Sequence, residues 1–347
     1  MFKNKEIKNL FLIFLITRIC YLIYQIITIP LVGNDFLDVY NFMDSINYLH
    51  IAKYGYTETK FYTFFPLIPI LIKLFSIYGL VIINNIVAFI SSIMIYKNFN
   101  KNAAILFLLS PIQIYCYIPY TESIFICLTL LSYYFFKNKK NILLGLTLGI
   151  GVCCRSVGSM MFFAIFIIFV YDIYKKNRTI KELFTTYIYA TLISLLYPIY
   201  LQLTYGKWNI FITAQYECWD ATNSNIFKTI YLDIQSFFQQ DLYGKYLILL
   251  TYIALSLMIL ALLKYKNFNK VLLIYSVFSI IAIFSKVVTI YNGAMTPPSM
   301  SFFRYIYGCY PIYIGLSFYK NQKLIRSIFI ILHILIGLNF FINGWPF

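Results

Sequence analysis

The feature that most constrains this chain is the succession of apolar segments along its 347 residues. About ten or eleven of them approach the roughly 20 residues that a helix needs to cross a bilayer, and several are short or interrupted by proline. The predicted helices include 103–118, 122–136, 142–154, 157–174, 183–203 and 271–290, whereas 64–75, with two prolines, is too short to span and is expected to pack under the polar loop before it. Apolar residues make up 61% of the sequence and charged residues 12%, which excludes a soluble nucleic-acid-binding domain, a disulfide scaffold and a disordered regulator. The sequence predicts an all-α integral membrane protein, a single polytopic domain over residues 1–347 with about ten or eleven transmembrane helices.

The basic residues predict the orientation of these segments. The formal net charge is +16, and most of the 28 Lys and Arg residues fall in short loops at alternate ends of the apolar segments. These loops are the N-terminal tip and the stretches near 97–101, 137–140, 175–181, 264–270 and 320–326. This is the positive-inside bias, so we expect these loops in the cytoplasm and no nucleic-acid partner.

Two long polar loops, 31–62 and 204–245, fall on the opposite, non-cytoplasmic side, and most of the acidic residues lie there or at a helix end on that side. Residues 41–54 are expected to form a short helix on the membrane surface, with Asp44 and Tyr48 on one face. A carboxylate oriented at such a surface is suited to be a general base for a hydroxyl acceptor. The alternative is a helix cap or a solvated charge.

Three arginines interrupt or border apolar segments. Arg18 lies within the first segment, Arg155 between two segments, and Arg304 at a helix end on the non-cytoplasmic side. A charge inside a membrane costs at least ~2.5 kcal/mol, so it normally has a partner or lines a polar cavity. Each guanidinium could bind a lipid phosphate through two parallel hydrogen bonds. The alternatives are an internal salt bridge to an acid, favoured for Arg18, and a snorkelling contact for Arg304.

Other polar residues have two interpretations each. Glu122 begins a helix after Pro119, where an acid meets the positive end of the helix dipole, and it also lies on the same side as Asp44. Gln215 and Trp219 are typical sugar-contacting groups, although Trp219 also suits an interfacial aromatic belt. The cysteines and histidines do not have the spacing of metal ligands.

Several fragments, in order, resemble the PIG-V mannosyltransferase family, of the GPI mannosyltransferase 2 type, and its bacterial relatives. They are DSINYLHIAKYGY followed by FYTFFPLIPIL, LSPIQIYCYIPYTESIFICLT, LGLTLGIGVCCRSVG, WNIFITAQYECW and FFRYIYGCYPIYI. The likeness runs from about residue 18 to residue 311. Met43 stands where the family usually has Trp before the aspartate.

The resemblance implies the multi-pass GT-C architecture of integral-membrane glycosyltransferases. Such an enzyme moves a hexose, typically mannose, from a polyprenyl- or dolichyl-phosphate sugar to a glycolipid, a glycan or a GPI-like acceptor, with inversion. The site would face the non-cytoplasmic side of a bacterial plasma membrane or of the endoplasmic reticulum membrane. The likeness to the eukaryotic enzymes would also allow an accessory subunit, although no residue of this chain points to one. By this likeness Asp44 is the catalytic acid of the first loop. By the same likeness Glu122, Arg155 and Gln215 line the site. Together with the other residues that the sequence singles out, the expected substrate-binding residues are Tyr48, Tyr120, Glu122, Arg155, Gln215, Trp219 and Arg304.

No metal is required by this reading, because Asp35 and Asp38 do not form an Asp-x-Asp motif, although the acids could hold Mg²⁺ or Mn²⁺. Two other classes stay open. A lipid-linked sugar flippase or other transporter also needs a polar cavity among many helices, but its polar groups belong near the bilayer midplane in broken helices. A structural membrane subunit is the third interpretation.

Overall fold

A computed structural model of the chain describes residues 5–32, 36–265, 269–291 and 294–343, and Lys3, Asp35 and Lys266 lie outside these ranges. Helices dominate, as predicted. They are α1 (Lys5–Val32), α2 (Asp44–Tyr54), α3 (Leu67–Asn98), α4 (Lys101–Leu109), α5 (Gln113–Tyr117), α6 (Glu122–Lys137), α7 (Asn141–Cys154), α8 (Gly158–Tyr174), α9 (Ile180–Ser194), α10 (Leu196–Tyr205), α11 (Ile210–Trp219), α12 (Ile226–Phe237), α13 (Leu242–Tyr265), α14 (Lys270–Ile283), α15 (Phe302–Gly308), α16 (Pro311–Leu316) and α17 (Gln322–Asn343). Short 3-10 helices cover Asp38–Tyr40 and Thr59–Thr63.

Five helical stretches in the described part of the chain are long and apolar enough to cross a membrane. They are Lys5–Thr28, Leu67–Asn98, Ile180–Tyr205, Leu242–Lys264 and Gln322–Ile342. Many large apolar side chains on these stretches face outward, as lipid contact requires and as a water-soluble surface disfavours. Three shorter apolar helices accompany them: Asn141–Cys154, Gly158–Tyr174 and Lys270–Ile283. The prediction of an all-α integral membrane protein is thus supported at this level.

Breaks divide several of the predicted helices. The helix α3 is interrupted at Ser76, whose φ of 66° is non-helical, so that a short segment packed under the first loop precedes the longer helix, as expected. Residues 103–118 were expected to form one helix but form α4 and α5, because Pro111 lacks the N–H that a continuous helix needs. The predicted helix over 183–203 is likewise divided between α9 and α10.

Contacts join the basic loops to one another at one end of the bundle. The joining contacts are Lys101 Nζ to Glu6 Oε2 (2.6 Å), Arg326 Nη2 to Asn102 Oδ1 (2.7 Å), Lys139 Nζ to the Asn177 carbonyl (3.1 Å) and Lys270 Nζ to Tyr171 Oη (2.8 Å). These contacts form two groups, which Tyr133 connects: its ring stacks on that of Phe99 at 5.2 Å between ring centres, and its Oη accepts from Asn269 Nδ2 at 2.6 Å. The loops that the charge pattern assigns to one side of the membrane therefore lie together.

The two long polar loops also contact each other. Tyr205 Oη donates to the Tyr56 carbonyl at 3.0 Å, and Trp219 Nε1 donates to Thr63 Oγ1 at 3.2 Å. Helix α11 of the second loop therefore packs on the 3-10 helix Thr59–Thr63 of the first. This common placement agrees with the predicted alternation of the loops.

Two pairs of short antiparallel strands were not predicted. Strand β1 (Ala221–Asn223) pairs with β2 (Lys286–Val288), and β3 (Ile290–Tyr291) pairs with β4 (Ala294–Met295). The expectation of helix from 271 to 290 is wrong beyond Ile283, because the run around Val287 is rich in β-branched residues and finds a partner strand in the second loop. This pairing fastens the second loop to the segment that leads to Arg304.

Candidate functional site

Four charged side chains from distant parts of the sequence form one connected chain of ion pairs. Arg304 donates from Nη1 to Asp44 Oδ2 at 3.0 Å and from Nε to Glu122 Oε1 at 2.5 Å. Arg155 Nη1 donates to the same Glu122 oxygen at 2.6 Å. We call Asp44, Arg304, Glu122 and Arg155 the ion-pair chain. It brings together the predicted catalytic acid and three of the predicted binding residues.

Local structure places each member at the end of a helix or in a short helix. Asp44 is the first residue of α2 and Glu122 the first of α6, so both carboxylates lie at the positive end of a helix dipole. Thr121 Oγ1 also donates to Glu122 Oε2 at 3.3 Å. Arg155 follows α7 in an extended conformation, and Arg304 lies in the first turn of α15. Both interpretations of Glu122 therefore hold, since it begins a helix and also belongs to the ion-pair chain.

Exposure differs along the ion-pair chain. The side chains of Glu122 and Arg304 are 0% and 4% exposed, whereas those of Asp44 and Arg155 are 17% and 14% exposed. The inner pair is closed to solvent and the two outer groups are reachable. A buried cation and a buried anion thus hold an accessible carboxylate and an accessible guanidinium in fixed positions. The snorkelling interpretation of Arg304 is wrong, because its side chain is buried between two carboxylates.

Aromatic rings surround the guanidinium groups. The Arg304 guanidinium lies 4.9 Å from the ring centre of Tyr115 and 4.6 Å from that of Tyr120, and the Arg155 guanidinium lies 4.8 Å from that of Tyr305. Such cation–π contacts stabilise a desolvated guanidinium. Tyr120, predicted to bind substrate, therefore lies against Arg304, and Tyr115 and Tyr305, which were not predicted, also contact the guanidinium groups. Tyr305 could have been predicted to lie near the site, since it directly follows Arg304 in the sequence.

Tyr48 packs beside the ion-pair chain. Its ring is buried and meets Phe64 edge-on, with 5.2 Å between ring centres. Burial raises the pKa of the Tyr48 phenol well above its ordinary value, and the nearby Asp44 carboxylate raises it further. Tyr48 therefore keeps its proton and can offer a neutral hydroxyl.

The two predicted residues of the second loop contact residues outside the ion-pair chain. Trp219 packs on Phe64, at 6.0 Å between ring centres, and Phe64 in turn meets Tyr48. Gln215 Oε1 accepts a hydrogen bond from Lys286 Nζ at 2.6 Å. This bond connects Gln215 to β2 and not to a member of the ion-pair chain. Lys286 was not predicted as a partner, because it falls in a segment expected to be helical.

Arg18 differs from expectation. The favoured salt bridge is wrong within the described residues, where Arg18 has no carboxylate partner within ion-pair distance. Arg18 Nη2 instead donates to Gln113 Oε1 at 2.9 Å, and its guanidinium lies 4.5 Å from the ring centre of Phe14. The physical reason is position: Arg18 is in the interior of α1, whereas the acids of the ion-pair chain lie at helix ends.

The acids of the described residues do not gather as metal ligands do. No group of three His, Cys, Asp or Glu side chains within the described ranges could hold a metal ion. Asp44 and Glu122 are instead connected through Arg304, and together with Arg155 the two cations balance the two carboxylates.

Comparison with protein-family models, with curated proteins and with solved structures gave no significant match to this chain. The described fold is all-α with five helical stretches that could cross a membrane, and a connected set of ion pairs lies at the end where its two polar loops meet.

Proposed function

We propose that the chain is a membrane glycosyltransferase of the GT-C type. It would move a hexose, typically mannose, from a polyprenyl- or dolichyl-phosphate sugar to a glycolipid, a glycan or a GPI-like acceptor, with inversion at the sugar. The observation that carries this proposal is the exposure along the ion-pair chain, where Asp44 and Arg155 are the reachable ends. A base and a phosphate-binding cation are the two groups that such a transfer needs.

Asp44 is proposed as the general base. Arg304 binds Oδ2 and orients the carboxylate, so that the second oxygen, Oδ1, would accept the proton of the acceptor hydroxyl. The hydroxyl oxygen then attacks C1 of the donor sugar from the face opposite the phosphate, and the bond from C1 to the phosphate oxygen breaks. The electron pair leaves with the lipid phosphate, and the new glycosidic bond has the inverted configuration.

Arg155 is proposed to bind the departing phosphate. The donor is a phosphodiester with one negative charge, and the leaving lipid phosphate is a monoester that gains a second. Cations and hydrogen-bond donors near that phosphate stabilise the growing charge, and no general acid is needed. Arg155 uses Nη1 for Glu122 and has further N–H groups for phosphate. No step of this mechanism uses a metal ion.

One observation favours the transporter as a second candidate. Arg18, in the interior of α1, forms a hydrogen bond with Gln113, the first residue of α5 after the break that follows α4. Transporters keep their functional polar groups in such helix interiors and at such helix breaks. The ion-pair chain, at helix ends beside the polar loops, favours the enzyme.

The test is sugar transfer from radiolabelled polyprenyl-phosphate mannose to membrane lipid by the wild type, Asp44→Asn and Glu58→Gln at equal expression. Glu58 lies in the same loop as Asp44 but forms an exposed ion pair with Lys60, so it is the matched control. We expect Asp44→Asn to lose at least ~100-fold in transfer and Glu58→Gln to keep it. Equal transfer by the wild type and Asp44→Asn would remove the role of Asp44. Movement of the labelled lipid across vesicles without any transfer would favour the transporter.

A further inference from the structure

Helix α12, in the second polar loop, carries large apolar side chains on the outside of the protein. Phe227, Tyr231 and Ile234 recur at helical spacing, and Phe238 follows directly after the helix on the same face. Their exposed fractions are 80%, 58%, 61% and 81%. A continuous apolar face of this kind marks a surface that contacts something other than water.

The opposite face of α12 is polar and buried. Thr229, Asp233 and Ser236 point into the protein. Asp233 accepts a hydrogen bond on Oδ2 from Tyr252 Oη at 2.8 Å and one on Oδ1 from the Ser299 backbone N–H at 3.2 Å. Ile226 and Leu232 also pack against the core, so the inner side of α12 is mixed, whereas its outer face is apolar. Because the inward hydrogen bonds fix its rotation, the apolar face has to point outward.

The apolar face continues onto a stretch that is long and apolar enough to span a membrane. Residues 238–241 connect α12 to Leu242–Lys264, whose first residue, Leu242, is 86% exposed. Leu249, about two turns further along, is also exposed. The flank of α12 between its two faces carries the exposed polar side chains of Gln235 and Gln239. An apolar face, a polar flank and an adjoining span together match a helix at a lipid–water boundary.

We propose that α12 lies in the plane of the non-cytoplasmic membrane surface, with lipid acyl chains as the partner of its apolar face. Through Asp233 this helix also holds Ser299, whose carbonyl accepts from Thr251 Oγ1 at 3.0 Å. Ser299 lies in the turn that precedes α15 and therefore Arg304. A lipid-contacting helix is thus connected by hydrogen bonds to the segment that supplies the buried cation of the ion-pair chain. This inference does not depend on glycosyl transfer.

The test is the accessibility of spin labels in the full chain reconstituted into phosphatidylcholine vesicles. Single cysteines are introduced by Ile234→Cys and Phe238→Cys on the apolar face and by Gln235→Cys and Gln239→Cys on the polar flank. The parent carries Cys218→Ser, because Cys218 is an exposed native cysteine, and its own residual labelling is subtracted. Each label is measured with oxygen, which concentrates in lipid, and with a water-soluble nickel complex.

We expect the labels at 234 and 238 to respond to oxygen more than to nickel, and those at 235 and 239 to show the reverse. All four positions are on the surface, so the substitutions leave the inward contacts of α12 intact. A strong nickel response at 234 and 238 would place the apolar face in water and overturn the proposal. Protection of both positions from both reagents would also overturn it, since another protein surface would then cover the face. Neither result depends on sugar transfer.

Discussion

Arg304 Nε lies 2.5 Å from Glu122 Oε1, although 182 positions separate the two residues in the sequence, and both side chains are buried. The same carboxylate oxygen also accepts from Arg155. Glu122 is thus the inner counter-charge for two guanidinium groups, and the position of the reachable end groups depends on it.

Glu122→Gln should therefore destabilise the protein strongly. The substitution leaves Arg304 and Arg155 without the carboxylate that compensates their desolvation, and breaking a buried ion pair in this way costs about 3–5 kcal/mol. The measurement is thermal unfolding of the purified protein in detergent. Glu58→Gln is the control, because the exposed pair that it breaks is worth about 0–1 kcal/mol. Equal melting temperatures for both variants would contradict a structural role of Glu122.

Arg155→Gln should weaken sugar transfer more than it weakens folding. If its guanidinium binds the leaving phosphate, loss of a charged hydrogen bond of about 1.5–3 kcal/mol lowers transfer by about 10- to 100-fold. Arg155→Lys should recover part of the loss, since it restores the charge without the two-pronged geometry. The measurement is the initial rate against the concentration of polyprenyl-phosphate mannose. Lys60→Gln, a cation on the same side of the protein, should leave the rate unchanged. An equal loss in that variant would point to general surface charge instead.

Gly149→Ala should destabilise the contact between α7 and α9. A Cβ atom at Gly149 would lie 2.6 Å from Ile193 Cβ and 2.8 Å from the Ala190 carbonyl oxygen, so the two helices would have to separate. Overpacking of this kind typically costs about 1–3 kcal/mol. Gly151→Ala, two residues further along α7, meets no atom within 4 Å and is the matched control. Comparison of their melting temperatures tests the close approach of the helices, and a drop of equal size in both would refute it.

Asp233 should give the protein a pH-dependent stability. Burial raises the pKa of its carboxyl group above the ordinary value, against the opposing hydrogen bonds from Tyr252 and Ser299. Because the folded state holds the proton more tightly, stability is greatest below the ordinary Asp pKa of about 3.9 and falls as the pH rises through the raised value. Asp233→Asn has no such charge.

The difference in melting temperature between the wild type and Asp233→Asn should accordingly change in favour of the wild type as the pH is lowered from about 7 toward about 4. Taking the difference removes the contributions of other titrating groups. A difference that stays constant over this range would be inconsistent with a raised pKa of Asp233.

The helical membrane character of the protein could be predicted from local properties of the chain. The length of the apolar runs predicts stretches that can cross a bilayer, and α6, α7 and α8 begin and end close to the expected residues. The basic residues predicted which loops lie together. These properties depend on neighbouring residues and on the surrounding lipid and water, so they can be predicted without knowledge of tertiary contacts.

The tertiary structure decided the partners. From the sequence, Arg155 could have either an internal salt bridge or a lipid phosphate as its partner, and an acid was favoured for Arg18. In the fold Arg155 pairs with Glu122, and Arg18 donates to the side-chain amide of Gln113. It also turned the polar face of α12 inward and drew residues 286–288 into a strand. Partner choice depends on which distant segments the packed helices bring within about 3 Å of each other. Spacing along the chain does not encode that distance.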